Sequence, residues 1–455
     1  MSNTSPLLDQ GAVQRLAAEL SARDNWARSA LLDVQRKRLD DLLTHAVSAS
    51  PYYRDTIGTD VRRGASLTDL PILTKTTLMD QWDRIVTDPQ VRLRDVENHL
   101  AGPRRSELFR DEYRVFATGG TTGERAIVAY DGAAWLDAVA NIHRWFGTIG
   151  VRPDARVVGI GAPTALHVTN RAFAEVQAGH SGAPRLSVLT PVPELVETLN
   201  AYQPDMIVTY ASFARRLIEE QESGRLRIQP RRIASTAEVL ALDVREHLRA
   251  TWDTQVSNCY GTTEAVLVGT ECDSSGGIHI AEDMVVLEVV DEHNRPVPDG
   301  VPGAKVLLTN LFNRTLPLIR YELSDIATLE TATCACGRPY ARVTAIDGRR
   351  EDYMVLRALA GGYIRVHAGR LRAPLAGVPG LRQYQLVPMK ERLTLRVSVR
   401  SDADAGSARA AATEVVRTAL REAGADVVVS TEVVDIIARA GTGAKEKLVA
   451  AASTV

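Results

Sequence analysis

A chain of 455 residues is too long for one compact core, so at least two domains are expected. Its 45% apolar and 24% charged residues suit an ordinary globular protein, and a net charge of −2 gives no general electrostatic reason to bind nucleic acid or an anionic membrane. No run approaches the roughly 18 consecutive apolar residues of a membrane span. The opening MSNTSPLLDQ lacks the basic and apolar regions of a signal peptide, so a cytoplasmic location is expected.

Apolar residues recur at helical spacing over 11–49, through Leu16, Leu20, Leu31, Leu32, Leu39, Leu42 and Leu43, and Pro51 ends that pattern. Residues 69–75 predict an extended piece followed by a helix start. Strand-like runs at 126–130, 156–160, 186–189, 206–209 and 232–234 alternate with helical patterns at 133–146, 193–199, 212–222 and 241–251. That alternation predicts an α/β fold with a largely parallel sheet. Residues 285–330 turn to strands and tight turns, which predict antiparallel hairpins. Beyond Gly348 a small α+β unit is expected: strands at 353–356, 381–387, 393–399 and 426–429, and a helix at 408–422 led into by an Ala-rich loop over 403–412. The domains are therefore expected at 1–347 and 353–455, with a hinge at 348–352.

Chemistry concentrates in a few stretches. After the apolar Val115-Phe116-Ala117 comes Thr118-Gly119-Gly120-Thr121-Thr122-Gly123-Glu124-Arg125. Glycines let backbone N–H groups converge on one point and threonines add donors, which suits a polyphosphate, although such a loop also joins ordinary strands. A P-loop is disfavoured because Glu124 stands where lysine is required. Tyr260-Gly261-Thr262-Thr263-Glu264 offers an aromatic face, a bare backbone, two hydroxyls and a carboxylate able to hold Mg²⁺. Asp325, after Ile319-Arg320-Tyr321, could accept from both hydroxyls of a ribose. Cys272, His279, Cys334 and Cys336 form a Cys₃His set with the ligand count and softness of a closed structural zinc site; the alternative is reduced thiols and a surface histidine. Cys259 reads as a packing residue.

Taken in order, these motifs resemble those of the adenylate-forming ligases, the acyl-CoA synthetases and their relatives, and within them the phenylacetate–CoA ligase branch. Supporting pieces are Ser50-Pro51-Tyr52-Tyr53-Arg54, Leu70-Pro71-Ile72-Leu73-Thr74-Lys75, Tyr202-Gln203-Pro204-Asp205 and Gly348-Arg349-Arg350-Glu351-Asp352. The resemblance implies a large adenylating domain with parallel sheets and a small β-rich subdomain, followed by a small mobile C-terminal domain. It implies that Thr118, Gly119, Gly120, Thr121, Thr122 and Gly123 hold the ATP phosphates and that Ala237, Glu238, Tyr260, Gly261 and Thr262 line the adenine. Thr263 and Glu264 would act at the reacting phosphate, Glu264 through Mg²⁺; Asp325 would bind the ribose and Arg349 the ribose or α-phosphate side. The mobile catalytic lysine falls in Gly441-Thr442-Gly443-Ala444-Lys445-Glu446-Lys447, with Lys445 favoured over Lys447.

The reaction implied is ATP-dependent activation of a carboxylic acid, aromatic or aryl-acrylic, followed by acyl transfer to CoA. Trp145, His167, Tyr210 and Ser235 are candidates for the acid pocket from their places after predicted strands or in mid-chain loops. Two departures stand out. Glu124-Arg125 replaces a small or basic residue and proline, and the post-hinge run 357–367 is closer to capsule-type relatives. Other acceptors (an amine, nitrite or a carrier thiol in secondary metabolism) therefore stay open, as does a nucleotide-binding relative without catalysis. A homodimer is one assembly the resemblance allows.

Overall fold

A computed structural model describes residues 7–58, 66–103, 107–118, 125–152, 154–178, 182–274, 276–371, 374–375, 377–400, 403–437 and 448–450. The chain forms two compact units, one of Met1–Glu238 with Leu248–Ile346 and one of Val239–His247 with Asp347–Val455.

The expected N-terminal helix is two, Gln10–Ala22 and Arg28–Ala49, parted by a 3-10 turn at Arg23–Asn25. The break delivers the buried Asp24 to Arg144 and Tyr340, a polar anchor that helical periodicity does not foresee. Pro51 opens the next helix, Pro51–Ile57, at a first-turn position where its missing N–H has no partner to lose, and Ser50 caps it.

In the first unit, β1 (Arg114–Ala117) and β2 (Ile127–Tyr130) make an antiparallel hairpin around the Gly/Thr loop. The main sheet takes β3 (Val157–Gly161), β4 (Leu186–Ser187), β5 (Met206–Thr209), β6 (Arg232–Thr236) and β7 (Gln255–Tyr260), and then β8 (Gly269–Glu271) and β9 (Ile278–Ile280). A second sheet holds β10 (Val285–Val290), β11 (Lys305–Asn310) and β12 (Tyr321–Leu323), all antiparallel. β13 (Asp325–Glu330) and β14 (Arg342–Arg349) return to the main sheet, whose order is β13-β14-β9-β8-β7-β6-β5-β3-β4.

Strands β4 to β7 run parallel, as alternation with helices predicts, and β7, β8, β9 and β14 pair antiparallel. β3, β5 and β6 are buried along their whole lengths, as sheets covered on both faces require. The helix Val168–Ala178 is one that the pattern did not mark: Phe173 lies over glycines of β3, so tertiary packing defines it.

The second unit begins with the hairpin of β15 (Tyr353–Arg357) and β16 (Tyr363–His367). A sheet of β17 (Leu381–Met389), β18 (Arg392–Val399) and β19 (Val428–Val433) follows. β18 and β19 are parallel because the helix Ala405–Glu422 supplies the crossover between them. That helix starts earlier than the Ala-rich stretch suggested, since the Asp404 carboxylate accepts from the Ser407 N–H at 2.7 Å and caps it. Leu386, Leu393, Leu395 and Val397 share a core with Ala412, Val416 and Leu420.

Candidate functional site

The Gly/Thr loop is closed at its base by two hydrogen bonds. Thr118 donates its backbone N–H to Ala126 O at 2.8 Å, and the Ala126 N–H donates to Thr118 Oγ1 at 2.9 Å. Residues 119–124, including Glu124, lie outside the described residues. Phe116, Tyr130 and Trp135 cluster beneath the hairpin with ring centroids 5.3–6.1 Å apart, so the loop springs from a rigid aromatic base.

Tyr130 ties this base to the second motif, donating its hydroxyl to Thr263 O at 2.7 Å. Burial first, and then the negative charge of Glu264, pushes the Tyr130 phenol well above its usual range, so it stays a donor. Two fully buried asparagines complete the stitching. Asn310 Nδ2 donates to Glu264 O and Asn313 Nδ2 to Ala129 O, each at 2.8 Å.

The loop from Tyr260 to Val268 is closed by the Val268 N–H on Tyr260 O at 2.8 Å. Within it Leu267 donates to Ala265 O at 2.6 Å around Val266, whose φ is 59°. An i to i+2 bond about a β-branched residue at positive φ is a strained γ-turn, of a kind that persists only where the surroundings impose it. It brings the Val266 carbonyl to 2.8 Å from where a Cβ on Gly261 would stand, so only glycine fits there without a shift. Glu264 itself is buried.

The third motif closes on the second: the Tyr260 hydroxyl donates to Asp325 Oδ2 at 2.6 Å, and both residues are buried. Arg320 has a scaffolding part. Its guanidinium pairs with both oxygens of Glu288 at 3.0 and 3.1 Å and donates to the carbonyls of Thr68 and Leu70. The Leu73 N–H donates to Arg320 O and the Glu322 N–H to Leu73 O, so the 70–75 segment is stitched alongside Tyr321.

Ala237 follows β6 at φ 63°, in the left-handed region like Val266 and Arg320 of the motifs. The Glu238 carboxylate accepts from Ser212 N–H at 2.8 Å and Ser212 Oγ at 3.1 Å, and so serves the start of the helix Ala211–Glu222. Thr236 Oγ1 lies 3.4 Å from the Cβ position of Gly261, bringing the end of β6 against the second motif.

The acid-pocket candidates separate. The Tyr210 hydroxyl meets Thr169 Oγ1 at 3.1 Å on the side of the helix Val168–Ala178. Ser235 is registered with Thr209, the residue before Tyr210, so strand alternation sets it on the opposite face. Its buried hydroxyl has no hydrogen-bond partner among the described residues. Trp145 lines a small cavity with Asn141, Thr270 and His279, not with Tyr210 or Ser235. His167 is half-buried in the turn before Val168–Ala178.

In the second unit, Arg349 ends β14. Its N–H reaches Asp352 Oδ2 at 3.4 Å, and its carbonyl is 3.0 Å from His367 Nε2. Gly348 has φ 133°, and a Cβ there would sit 2.8 Å from the His367 ring. Lys445 and Lys447 lie outside the described residues.

Cys272, His279, Cys334 and Cys336 converge, with ligand atoms all within 4.8 Å of one another. Cys272 Sγ is 3.7 Å from Cys334 Sγ, and His279 Nε2 is 3.2 Å from Cys272 Sγ and 3.4 Å from Cys336 Sγ. A tetrahedron with the usual Zn–S and Zn–N bonds has edges of about 3.8 Å between sulfurs and about 3.6 Å between sulfur and nitrogen. The cage fits zinc. Burial, reinforced by Arg338 and Arg342, lowers the His279 pKa to about 4, keeping the imidazole neutral as a ligand must be. The Cys334–Tyr340 loop is anchored by Tyr340, which donates to Asp24 at 2.9 Å, and by the Pro339 carbonyl, which accepts from Arg28 at 2.5 Å.

Sequence reading missed Tyr130, Asn310, Asn313 and Arg144. The asparagines carried a weak signal, since Asn-x-x-Asn directly after a strand suits side chains that bond neighbouring backbone. Arg144 carried none, being one cation in a helix that also holds Asp137, Asn141 and His143.

Residues 71–307 match the family model of the AMP-binding enzymes. Among curated proteins, the chain is 27% identical over 391 residues to a phenylacetate–coenzyme A ligase of Thermus thermophilus, covering 80% of this chain and 79% of that one. It is 20% identical to the protein CapK of Staphylococcus aureus over 78% of each chain. Among solved structures it is similar to a 2-hydroxyisobutyryl-CoA ligase in complex with 2-HIB-AMP, with TM-score 0.75 at 21% identity, covering 95% of this chain and 91% of that one.

Proposed function

Because the chain belongs to the AMP-binding enzyme family, we propose that it uses ATP to convert a carboxylic acid, aromatic in kind, to its acyl-adenylate and then passes the acyl group to CoA. The observation that carries this reading is the joining of three separate motifs. Tyr130 links the base of the Gly/Thr loop to Thr263, and Tyr260 links the Tyr260–Glu264 motif to Asp325. The curated relatives named phenylacetate–coenzyme A ligase support both the aromatic acid and the CoA acceptor. A cytoplasmic location is part of the same reading.

An acid oxygen attacks the α-phosphorus of ATP and pyrophosphate leaves, so negative charge crowds the phosphate oxygens. Donors on the Gly/Thr loop, the Lys445 ammonium and Mg²⁺ held by Glu264 would supply the counter-charge and alignment. In the second step the thiolate sulfur of CoA bonds the acyl carbon, the acyl–phosphate bond breaks, AMP departs, and the thiol proton passes to solvent. Asp325 would hold the ribose in both steps, with Tyr260 fixing its carboxylate. The Cys₃His cage would hold zinc in a structural capacity, with all four positions taken by protein.

The test is pyrophosphate release across a panel of aryl and alkyl acids, followed by product mass with and without CoA. Release with aryl acids and a thioester product are expected. Release with alkyl acids alone would reject the aromatic reading, and a product lacking CoA at saturating CoA would reject the acceptor.

A further inference from the structure

The hairpin that opens the second unit has two unlike faces. Its antiparallel register pairs Tyr353 with His367, Val355 with Arg365 and Arg357 with Tyr363. Side chains alternate across a strand, so these three pairs share one face and Met354, Leu356 and Val366 share the other. The latter three are buried, whereas Val355 is 48% and Tyr363 57% exposed. The outer face therefore carries two tyrosines, two arginines and a histidine. A lysine joins them from the turn after β17. Lys390 Nζ sits 5.5 Å from the Tyr363 ring centroid, and the Lys390 carbonyl accepts from the Arg357 N–H at 2.8 Å. The Arg365 guanidinium lies 4.5 Å over the Tyr353 ring. Exposed Glu391 meets Arg357 only at 3.9 Å.

Charge along the chain points the same way. Residues 347–455 hold 17 Lys and Arg against 12 Asp and Glu, whereas residues 1–346 hold 37 against 44. A near-neutral protein thus keeps its cationic excess in the small unit. Aromatic rings flanked by cations stack a base and neutralise the phosphates attached to it.

We propose that this hairpin face receives the phosphorylated adenosine end of CoA, with the base on Tyr363 and the phosphates met by Arg357, Arg365 and Lys390. The assignment rests on the reading of CoA as acyl acceptor and adds the residues that recognise it.

The experiment compares KM for CoA and for dephospho-CoA in the full chain, with acid-dependent pyrophosphate release measured in parallel. Tyr363→Ala should raise KM for both thiols about tenfold, the size expected for loss of one base-stacking contact. Tyr363→Trp should keep KM near the parent value. Arg357→Ala combined with Lys390→Ala, and Arg365→Ala alone, should narrow the preference for CoA over dephospho-CoA. All of these side chains are exposed, so pyrophosphate release should be unchanged. A KM for CoA that none of the variants moves overturns the assignment. Failure of the parent chain to form any CoA thioester overturns instead the ligase reading beneath it, and transfer to an acidic carrier protein in its place does the same.

Discussion

The Tyr260 hydroxyl and the Asp325 carboxylate, 65 residues apart, meet at 2.6 Å inside the first unit. The bond orients a buried carboxylate that would otherwise choose among rotamers. Asp325→Asn is expected to raise KM for ATP by about 10- to 100-fold, as loss of a hydrogen bond to a charged group would. Tyr260→Phe should have a smaller effect in the same direction. Because the two act as one unit, the double variant should fall short of the product of the single effects. Steady-state pyrophosphate release at varied ATP measures all three, and independent effects would show that Tyr260 does not act through Asp325.

Lys445→Ala should abolish acid-dependent pyrophosphate release, while Lys447→Ala leaves it largely intact. Unchanged release from the first variant and loss from the second would move the role to Lys447.

The Cys₃His cage predicts close to one equivalent of zinc in untreated protein, measured by atomic emission; less than about half would count against a closed site. Cys334→Ser should lose the metal and lower Tm by at least about 4 °C. The Cys334–Tyr340 loop holds Asp24 and Arg28. Metal loss should therefore also raise proteolytic cleavage near Arg23–Asn25 before it affects the rest of the first unit.

Arg144 is buried between Asp24 and Asp283, reaching them at 2.7 and 2.9 Å. Burial opposes ionisation of Asp283, but Arg144 and Arg23 outweigh it and hold its carboxyl below the usual range. Arg144→Met would remove the cation shared by two buried carboxylates, leaving Asp283 to Arg23 and Asp24 to Arg338, at a cost of about 3–5 kcal/mol, read from urea unfolding. With a lowered folded-state pKa, the Asp283 contribution is present above the unfolded value near pH 4 and lost as pH falls through the folded one. A cost below about 1 kcal/mol would show that the network contributes little.

Much of the architecture was legible because it rests on local pattern. Residues 206–209 and 285–290 are largely apolar, β-branched runs, and both are strands with those bounds. The three-residue strands β8, β9 and β12 were not legible, because so short a run carries no periodicity and exists through its partners. The helix Val168–Ala178 was missed for a related reason, its place being set by Phe173 against Gly159 and Gly161.

The sequence by itself determined the chemical inventory: a Gly/Thr loop, Tyr260 to Glu264, Asp325, and four soft ligands at irregular spacing. Spacing could not say which of these meet, because distance along a chain does not specify distance in space. Only the tertiary structure decided that Tyr260 holds Asp325, that Tyr130 joins the loop base to Thr263, and that Cys272, His279, Cys334 and Cys336 converge. It likewise paired Ser235 with Thr209 and turned Tyr210, just past the end of β5, to the other side, since register alone decides which residues of neighbouring strands share a face.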